Sequence, residues 1–264
     1  MDRPDLTDAI SRLRRASPLI HNITNYVVMN TTANALLAIG ASPAMVHAEE
    51  EVAEFVPLAG ALVVNIGTLS PSWLSAMDRA AGAAAEAGVP WVLDPVAVGA
   101  TPYRTAAAVS LSRRRPAVIR GNASEILALA GDPEAVPKGP DSTSDSSAAR
   151  EAARRLARDL ETVVAVTGEV DYVTDGARMV AIANGHRLLT RVTGMGCTAT
   201  ALVGAFLGAG LSAYEAATAG LAALGVAAEA AALRASGPGS FQVALMDALH
   251  GLDDEALARR ARLS

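Results

Sequence analysis

A short glycine-containing stretch carries the residue types best suited to binding an anion. The segment 193–197 reads Thr-Gly-Met-Gly-Cys, follows a predicted extended run over 187–192 and precedes a predicted uncharged helix. Its two glycines permit a tight turn and leave the backbone N–H groups accessible. Unpaired N–H groups at the positive end of a helix dipole bind phosphate well. We therefore interpret Gly194, Met195 and Gly196 as a phosphate site.

Cys197, the single cysteine of the chain, ends this stretch. A thiol at a helix N-terminus is expected to have a lowered pKa, which makes Cys197 a candidate base or nucleophile. The alternative is a purely structural glycine-rich turn with Cys197 as a small core residue. The rest of the chain decides between these two interpretations.

Polar residues stand where several predicted strands end. In open α/β sheets, ligands bind outside the carboxyl ends of the strands. Two carboxylates, a guanidinium, a hydroxyl and a helix start at one edge suit phosphoryl transfer, in which donors and Mg²⁺ neutralise phosphate charge. Taken singly these residues are ordinary, because Asp94 also suits a turn and 122–125 also suits a helix cap. The residues are Asn65, Gly67, Asp94, Arg120, Asn122, Glu125, Thr167 and Gly168.

Apolar segments alternate with helical segments along most of the chain. Near-continuous apolar strands separated by helices predict an α/β fold with a mostly parallel sheet covered on both faces. Strands 171–174 and 179–183, joined through Asp175 and Gly176, predict a hairpin. Residues 138–147 are rich in Pro, Gly and Ser and predict a surface loop. We expect one domain, 1–264.

Composition narrows the class of protein. The 264 residues carry a net charge of −5, which gives no basic footprint for nucleic acid. One cysteine fits a reducing compartment, and residues 1–6 lack a signal-peptide pattern, so we expect a cytoplasmic location. Residues 194–213 contain no charge and are long enough for a membrane span. Because this segment begins in a turn and is rich in Gly, Ala and Thr, we interpret it as a buried helix.

Several motifs resemble those of the ribokinase-like superfamily, and others narrow the resemblance to the hydroxyethylthiazole kinase family. The resemblance covers about 19–249 and implies a three-layer α/β/α fold. It also implies phosphorylation of the alcohol of 4-methyl-5-(2-hydroxyethyl)thiazole by ATP and Mg²⁺, in thiamine biosynthesis or salvage. The superfamily motifs are 193–197, 122–125, Asp94-Pro95 and 166–168; the family motifs are 21–25, 42–48 and 237–241.

The resemblance also implies roles for individual residues. It assigns three groups of residues: one that contacts the substrate, one that contacts ATP, and a pair of acidic residues that organise Mg²⁺. The resemblance further implies a homotrimer with sites at subunit boundaries. Asn25 and Met45 are therefore expected to face the site of a neighbouring subunit. These groups are Met45, Gly194 and Asn25 for substrate, Arg120 and Thr167 for ATP, and Asp94 and Glu125 for Mg²⁺.

Cys197 stands where most ribokinase-like sugar kinases carry an Asp base. Our hypothesis is that its thiol orients the substrate hydroxyl and accepts the proton late, since a largely dissociative transition state needs little base assistance. Three alternatives stay open at this point. They are a kinase for hydroxymethylpyrimidine or pyridoxal, a nucleotide-dependent hydro-lyase of the same fold, and a silent ligand-binding or scaffold protein.

Overall fold

A computed structural model describes residues 4–131 and 145–264 and contains one continuous eight-stranded sheet. The strand order is β2-β1-β3-β4-β5-β6-β7-β8. Strands β1 to β6 are parallel, β7 pairs antiparallel with β6, and β8 pairs antiparallel with β7. The strands are β1 Leu19–Ile23, β2 Ser42–Ala44, β3 Ala61–Asn65, β4 Trp91–Asp94, β5 Val118–Asn122, β6 Val163–Thr167, β7 Asp171–Thr174 and β8 Met179–Ile182.

Helices cover both faces of this sheet. One buried cluster joins the sheet to α1, α2 and α8 to α11, and a second cluster joins it to α3 to α7. The three-layer α/β/α prediction is therefore confirmed. The helices are α1 Ala9–Ala16, α2 Met29–Ile39, α3 Val52–Phe55, α4 Pro71–Ala87, α5 Pro102–Ser112, α6 Ala123–Leu129, α7 Asp145–Leu160, α8 Met195–Gly208, α9 Ala213–Ala232, α10 Pro238–His250 and α11 Asp254–Arg260.

Strand β3 shows why the sheet needs helices on both sides. Its residues Leu62 and Val64 belong to one core cluster, whereas Ala61 and Val63 belong to the other. Alternate side chains of a strand point to opposite faces, so a strand with apolar residues at its first four positions requires a buried core on both faces of the sheet. The continuous apolar runs seen in the sequence are the consequence of this double burial.

Helix α8 lies directly against the central strands β1, β3 and β4. A methyl group added at Gly204 would approach the Cγ2 of Val63 to 2.6 Å, so the close approach depends on glycine at this position. Most residues of α8 are buried. This packing fixes the N-terminus of the helix at the carboxyl edge of the sheet.

The two edges of the sheet are protected in different ways. Edge strand β2 has only three residues and includes Pro43, which has no N–H to donate. At the other edge, the backbone of Ala181 in β8 exchanges hydrogen bonds of 2.9 and 3.1 Å with Ser264. The segment 262–264 therefore lies along β8.

Some predicted boundaries were wrong. The segment Arg187–Arg191 is a 3-10 helix rather than an extended run, because the ring of His186 accepts the Leu188 N–H at 3.3 Å and begins a turn. Helix α8 begins at Met195, three residues before the predicted start. Strand β5 continues to Asn122, so Arg120 lies inside the strand rather than at its end.

Other segments were predicted with mixed success. The β7–β8 hairpin is confirmed, and residues 175–178 connect its strands. Residues 145–147 of the predicted 138–147 loop belong to α7, and the remainder of that loop lies outside the described residues. Of the segment 194–213, residues 195–208 form the largely buried helix α8. Within the described ranges, no helix is long and apolar enough to cross a membrane.

Candidate active site

Asp94 is the centre of the polar cluster at the carboxyl edge of the sheet. It ends β4, stands in register with Asn65 at the end of β3, and is fully buried. Its Oδ2 atom accepts hydrogen bonds from Asn65 Nδ2 at 2.7 Å and from Thr200 Oγ1 at 2.8 Å. Its Oδ1 atom is buried and has no hydrogen-bond partner among the residues that the structure describes.

The electrostatic environment of Asp94 disfavours its charged form. Burial raises the pKa of Asp94 from 3.8 to about 6; the Arg120 guanidinium opposes this rise and the Glu125 carboxylate adds to it. The closest approach to the guanidinium is 3.9 Å, between Oδ2 and Arg120 Nη1. A carboxylate kept in such surroundings is typical of functional sites.

Arg120 connects Asp94 to the end of the neighbouring strand β6. Its Nη2 atom donates a hydrogen bond to the hydroxyl of Thr167, the last residue of β6. The side chain is largely buried, and its Nε atom has no partner within the described part of the chain. An unsatisfied donor on a buried cation is costly and indicates a place where an anionic ligand would bind.

Glu125 lies at the start of α6, where it completes a capping box with Asn122. Its Oε2 atom accepts the Asn122 N–H at 2.8 Å, and its Oε1 atom accepts the Ala97 N–H at 2.8 Å. Both oxygens are therefore engaged by backbone donors. The carboxylate is nevertheless close enough to Asp94 to influence its pKa.

The N-terminus of α8 faces this cluster. Its N-cap residue Gly194 has a φ of +81°, a conformation that costs other residues energy. The first helical hydrogen bond runs from Thr198 N–H to Gly194 O at 2.8 Å, so the preceding N–H groups lie outside the helical ladder. Gly196 is needed for space, since a methyl group there would lie 2.7 Å from Arg120 Nη1.

Cys197 lies in the first turn of α8 and contacts Asn25, which follows β1. Asn25 Nδ2 lies 3.5 Å from Cys197 Sγ. The predicted lowering of the thiol pKa is wrong: burial raises the pKa of Cys197 from 9.0 to about 11, and the nearby Asp94 charge adds to the rise. That rise corresponds to about 3 kcal/mol, whereas a helix dipole supplies only about 0.3–1 kcal/mol.

Met45 stands apart from the other predicted site residues. It follows edge strand β2 and is half-buried. Three strand spacings, roughly 14 Å, separate the ends of β2 and β4. The structure therefore brings Asn25, Cys197, Asp94, Arg120 and Thr167 into one group, with Glu125 and the start of α8 beside it, but leaves Met45 at the margin.

Three further polar residues belong to the cluster although no role was assigned to them from the sequence. Asn65 and Thr200 both donate to Asp94. The sequence could have indicated Thr200, since it lies one helical turn after Gly196 on the same face of a helix. Asp171 accepts the Gly168 N–H at 2.9 Å, and burial raises its pKa to about 6 while Arg120 opposes the rise.

The residues present suit a magnesium ion that is shared with a nucleotide. In the described ranges, no three His, Cys, Asp or Glu side chains are grouped closely enough to hold a metal ion by themselves. Mg²⁺ is commonly held by one or two carboxylates together with substrate phosphates and water. The free Oδ1 atom of Asp94 fits that requirement, whereas Glu125 fits better as an outer partner that acts through water.

The fold and this site together define a kinase of the ribokinase-like class. The family model described as the hydroxyethylthiazole kinase family matches residues 10–255. The hydroxyethylthiazole kinase of Cereibacter sphaeroides is 57% identical over 96% of both chains. The chain belongs to the hydroxyethylthiazole kinase family.

Solved structures agree with this assignment. The structure of a hydroxyethylthiazole kinase protein from Pyrococcus horikoshii OT3 is 46% identical, with a TM-score of 0.91 over 98% of each chain. Pyridoxal kinase from Bacillus subtilis, solved as an ADP complex, is 17% identical with a TM-score of 0.60 over 80% of this chain and 91% of its own. The second similarity shows the shared fold alone.

Proposed function

We propose that the protein transfers the γ-phosphoryl group of ATP to the primary alcohol of 4-methyl-5-(2-hydroxyethyl)thiazole. The observation that carries this proposal is the convergence of Asp94, Arg120 and the first turn of α8 at one edge of the sheet. Guanidinium and backbone N–H donors stabilise phosphoryl charge, and family membership selects the acceptor alcohol.

On the nucleotide side, Arg120 and Thr167 bind ATP, and the N–H groups at Gly194, Met195 and Gly196 bind the transferring phosphoryl group. The unpartnered Nε atom of Arg120 is a donor that a phosphate oxygen would satisfy. Asp94 would hold Mg²⁺, and Glu125 would act on it through water. When bound, Mg²⁺ neutralises charge on the β- and γ-phosphates.

On the acceptor side, Asn25, Gly194 and Met45 bind the thiazole, and Cys197 orients its hydroxyl. The hydroxyl oxygen forms the new bond to the γ-phosphorus while the bond to the bridging oxygen of ADP breaks. With a pKa of about 11 the thiol stays protonated and cannot take the proton. The proton therefore leaves on a phosphoryl oxygen of the ester, whose second pKa is about 6, and passes to water.

The remaining expectations are also proposals. One continuous sheet from β1 to β8 supports a single domain over 1–264. The position of Met45 beside an edge strand is consistent with a homotrimer in which Met45 reaches the site of a neighbouring subunit. The cytoplasmic location indicated by the single cysteine stays a prediction.

³¹P nuclear magnetic resonance of the purified protein with ATP and the hydroxyethylthiazole, with and without Mg²⁺, tests this proposal. We expect a new phosphomonoester signal that grows with ADP and requires Mg²⁺. Formation of ADP without that signal would indicate a hydro-lyase or another acceptor. Separate assays with hydroxymethylpyrimidine and with pyridoxal show whether the protein phosphorylates one of these alcohols instead. Ligand binding without turnover would support a binding protein and contradict the kinase assignment.

A further inference from the structure

The side chain of Asn65 contacts both Asp94, the proposed ligand for Mg²⁺, and Asn25, a proposed substrate residue beside Cys197. Asn65 is 1% exposed and ends β3. Its Nδ2 atom donates to Asp94, and its Oδ1 atom accepts from Asn25 Nδ2 at 2.9 Å. Asn25 in turn contacts the thiol of Cys197. A continuous set of hydrogen bonds therefore joins the proposed metal-binding carboxylate to the thiol.

Backbone N–H groups fix the direction of both amides in this set. Gly67 N–H donates to Asn65 Oδ1 at 2.9 Å, and Val27 N–H donates to Asn25 Oδ1 at 3.1 Å. A backbone N–H is only a donor, so each side-chain oxygen must face it and each NH₂ group must face the site. The two asparagines thus present their donors towards Asp94 and Cys197 in the free protein, before any ligand binds.

We propose that Asn65 is a positioning residue for phosphoryl transfer, which holds the Asp94 carboxylate and the Cys197 thiol in a fixed relative arrangement through its side-chain amide. This proposal rests on the proposed function. Hydrogen bonds from Asn65 and Asn25 to the thiol both lower its pKa, although burial outweighs them. The thiol sulfur thus receives amide donors from inside the protein, which leaves its own S–H free to meet the substrate hydroxyl.

Two substitutions separate this role from simple structural support. Asn65→Asp keeps the acceptor oxygen for Gly67 and Asn25 but replaces the NH₂ donor that faces Asp94 and Cys197 with a carboxyl oxygen. Its kcat is compared with that of the wild-type protein at alkaline pH, because at lower pH a proton shared with Asp94 would restore one O–H donor. Asn65→Ala removes both the acceptor and the donor. Asn184→Ala is the matched control, because Asn184 is also buried but makes its hydrogen bonds away from the site: its Nδ2 atom donates to Arg260 O at 2.9 Å, and its Oδ1 atom accepts the Arg262 N–H at 2.7 Å.

We expect both Asn65 variants to lower kcat about 10- to 100-fold, the range typical of lost outer-shell partners. KM for ATP should change by no more than about threefold, since positioning of the reacting groups rather than uniform binding is lost. The infrared S–H stretching band, which comes from the single thiol, should shift in both variants. The control should lose stability but keep kcat and the position of this band.

The outcomes are distinguishable from failure of the proposed function. The S–H band is measured on the free protein and needs no substrate, so it tests Asn65 even if the wild-type protein does not phosphorylate the thiazole. An Asn65→Asp variant with wild-type kcat and an unshifted band would overturn the proposal, because the donor would then be unnecessary. If Asn65→Ala does not fold, Asn65→Asp alone decides.

Discussion

Replacement of Asp94 by Asn should make the free protein more stable while it abolishes phosphoryl transfer. Asn has the same shape, and its oxygen can accept the hydrogen bonds that Asn65 and Thr200 now donate to Oδ2. The substitution removes the buried charge and, with it, the proposed ligand for Mg²⁺. Functional residues are commonly retained at such a cost in stability.

The expected gain follows from the pKa of Asp94. Its rise from 3.8 to about 6 corresponds to about 3 kcal/mol at 1.36 kcal/mol per pKa unit. Because the folded-state pKa is the higher one, the folded protein binds the proton more tightly than the unfolded chain does. The stability that this carboxyl contributes is fully present below pH 3.8 and is lost as the pH rises through about 6.

Urea unfolding at pH 4 and at pH 7.5, both without Mg²⁺, measures this difference. We expect Asp94→Asn to match the wild-type protein within about 1 kcal/mol at pH 4 and to exceed it by up to about 3 kcal/mol at pH 7.5. Added MgATP should stabilise the wild-type protein more than the variant, which keeps Arg120 and Thr167 but lacks the proposed ligand for Mg²⁺. A variant that is less stable than wild type at pH 7.5 would refute the reasoning, because attraction to Arg120 would then outweigh the loss of hydration.

Four further substitutions, at three positions, test the rest of the site. Cys197→Ala should lower kcat more than it raises KM, and Cys197→Asp should keep or raise activity because a carboxylate also orients the hydroxyl; an inactive Asp variant that still binds ATP would contradict this role. Gly196→Ala should raise KM for ATP about tenfold, or roughly 1.4 kcal/mol, by displacing Arg120, and an unchanged KM would show that the guanidinium is not needed there. Gly194→Ala should lower the free energy of unfolding in urea by about 1–3 kcal/mol, because the residue has a φ of +81° and an added Cβ would lie only 2.5 Å from Val28 Cγ1. An unchanged free energy of unfolding would show that the turn can rearrange.

The sequence was most informative where a residue pattern has only one packing solution. Apolar residues at the first four positions of β3 require burial on both faces of the sheet, and this requirement predicts the layered fold. The strand ends then place Asp94 and Arg120 at one edge whatever the exact strand boundaries are. Parallel topology, rather than any single motif, explains why the cluster could be anticipated.

Properties that depend on three-dimensional surroundings could not be predicted in the same way. The thiol of Cys197 was expected to be acidic from its place at a helix start, but burial and the Asp94 charge raise its pKa instead. Neither the burial of the thiol nor its distance from Asp94 can be inferred from the order of residues in the sequence. Likewise, the hydrogen bonds of Asn65 depend on which strands are neighbours, and the helical start at Met195 depends on the backbone conformation of Gly194.

The protected edges of the sheet restrict how copies of this protein can associate. At one edge the segment 262–264 already satisfies the backbone of β8, and at the other edge Pro43 interrupts a strand of three residues. In residues 4–131 and 145–264, neither edge of the sheet offers a long row of free N–H and C=O groups on which a second chain could add a strand. Growth of one sheet into the next, the route to domain-swapped and fibrous aggregates, is therefore disfavoured. A homotrimer would have to form through helix faces and loops, which are the parts of the chain that also border the proposed site.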